Sequence, residues 1–120
     1  MSNRNDETTT VAMLRDMVRR FAADREWEPY HTPKNLAMGA AIEAAELMEH
    51  FLWVDGPGSL ELMKDPDRRE QVAEEIADVA CHLFNLCNVV GLDLSEAFRA
   101  KMAKNDLKYP AEQYRGRYTK

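Results

Sequence analysis

The stretch "AIEAAELMEH", residues 41–50, decides the fold. Apolar side chains run through it without the strict alternation of a strand, while Glu43, Glu46 and Glu49 recur every third residue, as they would on a helix. Outward from this stretch, Leu36, Ala40, Ala41, Ile42, Ala44, Ala45, Leu47, Met48, Phe51 and Leu52 cover most of a helix circumference. The predicted helix runs from about 33 to 54, with Thr32 as cap and Pro33 in its first turn. A second helix of the same kind is predicted from Asp65-Pro66 to about 90, where Gly91 ends it. Its apolar surface includes Val72, Ile76, Val79, Leu83, Phe84, Leu86, Val89 and Val90. Helices apolar over this much of their surface must be enclosed, by the same chain or by a copy of it.

Two more helices complete the pattern. Val11, Leu14, Met17, Val18, Phe21 and Ala22 share helical spacing within residues 10–26, and Asp93 with Glu96 forms a capping-box-like pair opening a helix that lasts to about Asp106. The "DGPGS" at 55–59 reads as a turn, and no strand pattern or repeat is present. The expected fold is therefore all-α, a four-helix bundle in a single domain over 1–120, with 1–8 and 111–120 as mobile tails. Small residues at Ala40, Ala41, Ala44 and Ala45 allow close helix approach, so the bundle is expected to be completed by a homo-oligomer, dimer or tetramer.

The composition excludes several function classes. A net charge of −5 and the lack of a basic run argue against a nucleic-acid partner, and no apolar run is long enough to span a membrane. The polar N-terminus is not expected to act as a signal peptide, and Cys81 and Cys87, on opposed faces of one helix, are expected to be reduced, as in a cytoplasmic protein.

The acids can then be read together. Glu43 and Glu46 form an i, i+3 pair on one apolar helix, and Glu75 and Asp78 form an i, i+3 pair on the other. A single such pair would ordinarily be a solvated face, but two matched pairs on the two most apolar helices call for protons or a cation between them. Ligation by oxygen alone points to magnesium, or manganese, with water and a substrate phosphate completing the shell.

The pattern Glu43-x-x-Glu46, then 28 residues, then Glu75-x-x-Asp78, resembles the signature of the all-α nucleoside triphosphate pyrophosphohydrolases of the MazG-like family, and within it the dCTP pyrophosphatase branch. The resemblance runs from about Leu14 to Tyr109 through "FAADREWEPYHTPKNLAMG", "EAAELMEHFLW", "VAEEIADVACHLFNL" and "KMAKNDLKYP". It implies a dimeric or tetrameric helical bundle that uses magnesium to hydrolyse a nucleoside triphosphate, such as dCTP or a modified dCTP, to the monophosphate and pyrophosphate. It also implies Glu43, Glu46, Glu75 and Asp78 as metal ligands, Trp27 and Trp53 as aromatics around the base, and Lys101, Asn105, Lys108 and Tyr109 as a substrate-contacting segment. Where the similar proteins carry a tyrosine four residues after the last acid this chain has His82, and where they carry a base-proximal histidine it has Val18.

From the residues themselves, Glu46 and Glu49 are both candidates to orient or deprotonate the attacking water, with Glu46 preferred because Glu49 can face solvent. Lys34 adds a further cation for the phosphates, and His82, at i+4 from Asp78, can contact that ligand or the substrate. His31, in the connector, is less favoured as a substrate contact. Two rivals are weaker. A ferritin-like di-iron site wants Glu-x-x-His on two helices, and this chain has only Glu28 to His31 in a Pro-containing connector. A non-catalytic metal-binding or protein-binding helical bundle leaves the matched acid pairs unexplained.

Overall fold

The structure, a computed structural model, describes residues 4–118. Among them there are helices and no strand: α1 (Val11–Asp24), a 3-10 turn (Glu28–Tyr30), α2 (Pro33–Glu49), α3 (Gly56–Leu62), α4 (Pro66–Val90), α5 (Leu94–Lys108) and α6 (Ala111–Tyr114). The all-α expectation is met.

Local chemistry sets the helix ends. The Thr10 hydroxyl accepts from the Met13 N–H at 3.1 Å, Thr32 from Asn35 at 3.2 Å and Asp93 from Glu96 at 2.9 Å, each satisfying a donor that the first turn leaves without a partner. Gly91, at φ 67°, takes the left-handed conformation that ends α4, and the next N–H, of Leu92, returns to Cys87 O at 3.0 Å.

Three boundaries differ from the sequence reading. α2 ends at Glu49 and not near 54, because the chain tightens into i to i+3 turns from His50 onward. The "DGPGS" segment starts α3 instead of forming a plain turn: Asp55 accepts from the Gly58 N–H at 2.7 Å, and Pro57 sits in the first turn, where its missing donor costs nothing. The C-terminal segment, read as a tail, carries α6, whose Tyr114 meets Tyr109 edge-on at 5.3 Å. Residues 1–3 and 119–120 of the expected tails lie outside the described residues.

α2 packs along α4, and α1 also packs against α4. α1 is tied down by Asn88 of α4, whose Oδ1 accepts from Arg15 Nε at 3.0 Å and Arg19 Nη2 at 3.1 Å, and whose amide donates to Arg15 O at 3.0 Å. α5 is different. The chain bends by 106° between α4 and α5, and α5 makes only slight contact with α1, α2 or α4, so one chain does not close the expected bundle.

The surface area shows the same thing quantitatively. A compact chain of 13.8 kDa is expected to expose about 6,600 Å² and to have a radius of gyration of about 13.6 Å. This chain exposes 9808 Å² with a radius of gyration of 17.3 Å. Among the described residues only Ala22, Leu36, Val72, Asn85 and Cys87 are buried, while Met38, Ile42, Ile76, Leu83, Phe98 and Leu107 stand in the open. No single helix among the described residues is long and apolar enough to cross a membrane.

Candidate metal centre and the adjoining cleft

The α2–α4 packing brings the two acid pairs together. Carboxylate oxygens of Glu43, Glu75 and Asp78 all lie within 4.8 Å of one another, close enough for one ion to be held by all three. Glu46 completes the group from its exposed edge, within hydrogen-bonding reach of both Glu43 and Glu75. The i, i+3 spacing on each helix is the cause, because it puts both carboxylates of a pair on the face that meets the other helix.

The group is electrostatically unsatisfied as it stands. Glu43 Oε2 and Glu75 Oε2 are buried and have no hydrogen-bond partner. Desolvation holds the Glu43 carboxyl above the usual carboxylate range, reinforced by the hydrogen bond and charge of Glu46 and by the charges of Asp78 and Glu75. Glu75 is raised in the same way, by desolvation first and then by Glu46 and Asp78, with partial relief from His50. His50 Nε2 lies 4.0 Å from Glu75 Oε1. Orphaned carboxylate oxygens and mutual repulsion are what a hard divalent cation would correct, so these residues fit a magnesium or manganese ion.

A cleft of about 440 Å³ opens beside the acids and shares Asp78 with them. Its wall includes Phe21 and Trp27, and its polar groups are His31, His82 and Asn85. Trp27 reaches it because Glu26 takes a left-handed conformation, φ 54°, as α1 ends, and the Trp27 N–H returns to Ala22 O at 3.0 Å. That turn sets Trp27 edge-on to Phe21 at 5.7 Å and His31 edge-on to Trp27 at 6.3 Å.

His82 is fixed by two features. Its Nδ1 lies 2.9 Å from Asp78 O, a group that can only accept, so Nδ1 carries the proton and donates. Its ring then lies against the backbone of α2 at Gly39, where a Cβ would fall 2.6 Å from Nε2 and closer still to Cδ2. Gly39→Ala is therefore expected to push the imidazole out of place and reshape the cleft with little change in helix content. A crystal structure of the variant beside circular dichroism checks both parts.

The structure thus brings Glu43, Glu46, Glu75 and Asp78 into one cluster, and Trp27 and His82 into one cleft beside it. It does not bring in the others within one chain. Trp53 is 90% exposed in the α2–α3 connection, and Lys34 is exposed on the first turn of α2. Lys101, Asn105, Lys108 and Tyr109 belong to the α5 region that swings away, where the Lys108 ammonium lies 5.4 Å from the Tyr109 ring centre. Phe21, Asn85 and His50 were missed by the sequence reading, and Val18 lines the cleft as well. A helical signal existed for two of them: Asn85 stands seven residues after Asp78, and His50 seven after Glu43, which puts each on the face of its acid.

Comparison with known proteins gives these features a context. Residues 39–120 match the model of the MazG-like family. The dCTP pyrophosphatase 1 of Mus musculus is 34% identical over 107 residues, covering 89% of this chain and 63% of that protein. The dCTP pyrophosphatase 1 of Homo sapiens is 38% identical over 104 residues, covering 85% of this chain and 60% of its own length. The chain therefore spans under two thirds of either curated relative. A crystal structure of a pyrophosphatase from Archaeoglobus fulgidus superposes with a TM-score of 0.76 at 45% identity, covering 81% of this chain and 89% of that one.

Proposed function

The chain belongs to the MazG-like family, and from that premise we propose that it hydrolyses a nucleoside triphosphate, a deoxynucleotide such as dCTP or a modified dCTP, to the monophosphate and pyrophosphate. The observation that carries the reading is the cluster of Glu43, Glu46, Glu75 and Asp78, with two buried carboxylate oxygens lacking partners, placed beside a cleft of nucleoside size. The relatives named dCTP pyrophosphatase and pyrophosphatase support the reaction class.

In this reading Glu43, Glu46, Glu75 and Asp78 hold magnesium, or manganese in its place. The bound cation would neutralise the triphosphate and stabilise the charge that develops on pyrophosphate as it leaves. Glu46, exposed at the edge of the cluster on the side of α2, takes the proton of the water that attacks the α-phosphorus. Trp27 and Phe21 hold the base in the cleft by their apolar faces while Asp78 joins cleft and acids.

The same reading assigns the remaining cationic and aromatic groups to an assembly. The excess exposed area, on the order of 3,000 Å² per chain over a compact protein and twice that for a pair of copies, matches the largest obligate interfaces. A dimer or tetramer would enclose α5 and give Lys101, Asn105, Lys108 and Tyr109, with Lys34 and Trp53, a route to the substrate that the isolated chain lacks.

Hydrolysis in ¹⁸O-labelled water tests the chemistry. Attack at the α-phosphorus is expected to place the label in the monophosphate alone. Label in pyrophosphate or in inorganic phosphate would show cleavage elsewhere and overturn the assignment of the reaction.

A further inference from the structure

We infer that His50 is a positioning residue for the metal centre, holding the Glu75 carboxylate with one oxygen turned inward for the cation; the inference rests on the metal reading of the four acids above. His50 follows Glu49, the last residue of α2, yet it keeps helical backbone angles, φ −64° and ψ −23°, and its N–H returns to Leu47 O and Met48 O. Helical spacing therefore still applies to it. Seven residues after Glu43 and four after Glu46, it belongs to the face of α2 that carries the acids.

Across from it stands Glu75 of α4. His50 Nε2 lies 4.0 Å from Glu75 Oε1, an ion-pair distance, and the two side chains are only 16% and 22% exposed. An ionised carboxylate can only accept, so Nε2 is the ring nitrogen that presents a proton to it. The two oxygens of Glu75 thus differ. Oε1 faces the imidazole, whereas Oε2 is buried with no hydrogen-bond partner and is the one left for an ion. Among the described residues no other ion pair reaches the four acids, so His50 is the one basic side chain paired with the cluster.

The pairing answers a specific difficulty in the metal-free protein. Glu75 ends a flexible side chain beside Glu46 and Asp78, whose charges oppose its ionised form, while His50 favours it. Repulsion alone would turn the carboxylate away from the other acids, and an arriving ion would have to draw it back. Groups outside a coordination shell orient the ligands within it, and their loss costs about 10–100-fold in metal affinity. His50 acts from outside in this sense: the ligand atoms that converge within 4.8 Å are those of Glu43, Glu75 and Asp78, without the imidazole.

The test is calorimetric titration of the full chain with magnesium and, separately, manganese, at one neutral pH and without nucleotide. The parent is compared with His50→Leu, which keeps the bulk and removes the N–H, and with His50→Gln, which keeps an N–H donor. His50→Leu should weaken both ions at least about tenfold, and His50→Gln should recover most of that loss. A packing role would not produce the recovery. Circular dichroism in chelator checks that each variant is folded, and His50→Ala takes the place of His50→Leu if leucine is not accommodated. Parent-like or tighter magnesium binding in His50→Leu, or His50→Gln no better than His50→Leu, would overturn the inference and leave the metal reading intact. A loss confined to manganese would make the imidazole a direct ligand and overturn the positioning role. A parent that binds neither ion would remove the metal reading and the inference with it.

Discussion

A Glu75→Gln variant is expected to lose at least about a hundredfold in triphosphate turnover, yet its metal-free form should melt a few degrees higher than the parent. The two effects have one cause. Glu75 and Glu43 are raised above the ordinary carboxylate range by desolvation and by their acidic neighbours, so the folded protein binds more protons than the unfolded chain at pH values just above that range. Stability of the metal-free protein therefore falls as the pH rises from the unfolded carboxylate value through the raised folded values, and stays at its lowest at neutral pH. Replacing one carboxylate by an amide removes part of the repulsion and also removes a ligand. Melting in chelator between pH 4.5 and 7 should show a downward slope for the parent and a shallower one for Glu75→Gln. Saturating magnesium should raise the parent by about 5–10 °C at a hundredfold excess over Kd and raise the variant much less. A parent insensitive to both pH and magnesium would mean that the four acids do not act as a unit.

The second large effect concerns assembly. Leu94, Phe98 and Met102 recur every four residues along α5, and Phe98 is 61% and Met102 46% exposed in the single chain. If a copy of the chain covers this stripe, Phe98→Asp places a charge where an aromatic ring would be buried. Light scattering should give the parent a mass of at least two chains of 13.8 kDa, and the variant should dissociate or lose its cooperative melt. Phe98→Ala should be milder, about 3–5 kcal/mol per buried site. Turnover should fall with assembly in both variants, because Lys101 and Lys108 on the same helix are kept from the acids in an isolated chain. A parent that sediments as a monomer with full activity would remove the assembly from the account.

How far the sequence carried these conclusions follows from what kind of information each one needed. The ends of α4 were legible because Asp65-Pro66 and Gly91 act locally, and the acid pairs were legible because i, i+3 spacing fixes a face whatever the tertiary structure. The α3 helix was not, since glycine and proline at 56–58 read as breakers until Asp55 is seen to cap them. The direction of α5 was not legible either: helix ends can be read from residues, but a 106° bend depends on what the helix packs against. Asn85 was missed because one amide within an apolar helix looks like a tolerated polar residue until His31, 54 residues away in sequence, is found beside it.

Product analysis on dCTP, with magnesium and with chelator, for the parent beside Glu46→Gln separates a hydrolase from a metal-binding bundle. The account predicts equal amounts of monophosphate and pyrophosphate from the parent only when magnesium is present, with turnover reduced by about 10²–10⁴-fold in the variant. Folded, magnesium-loaded parent that releases no pyrophosphate from dCTP or from any other nucleoside triphosphate would contradict it and leave a non-catalytic metal-binding helical protein in its place.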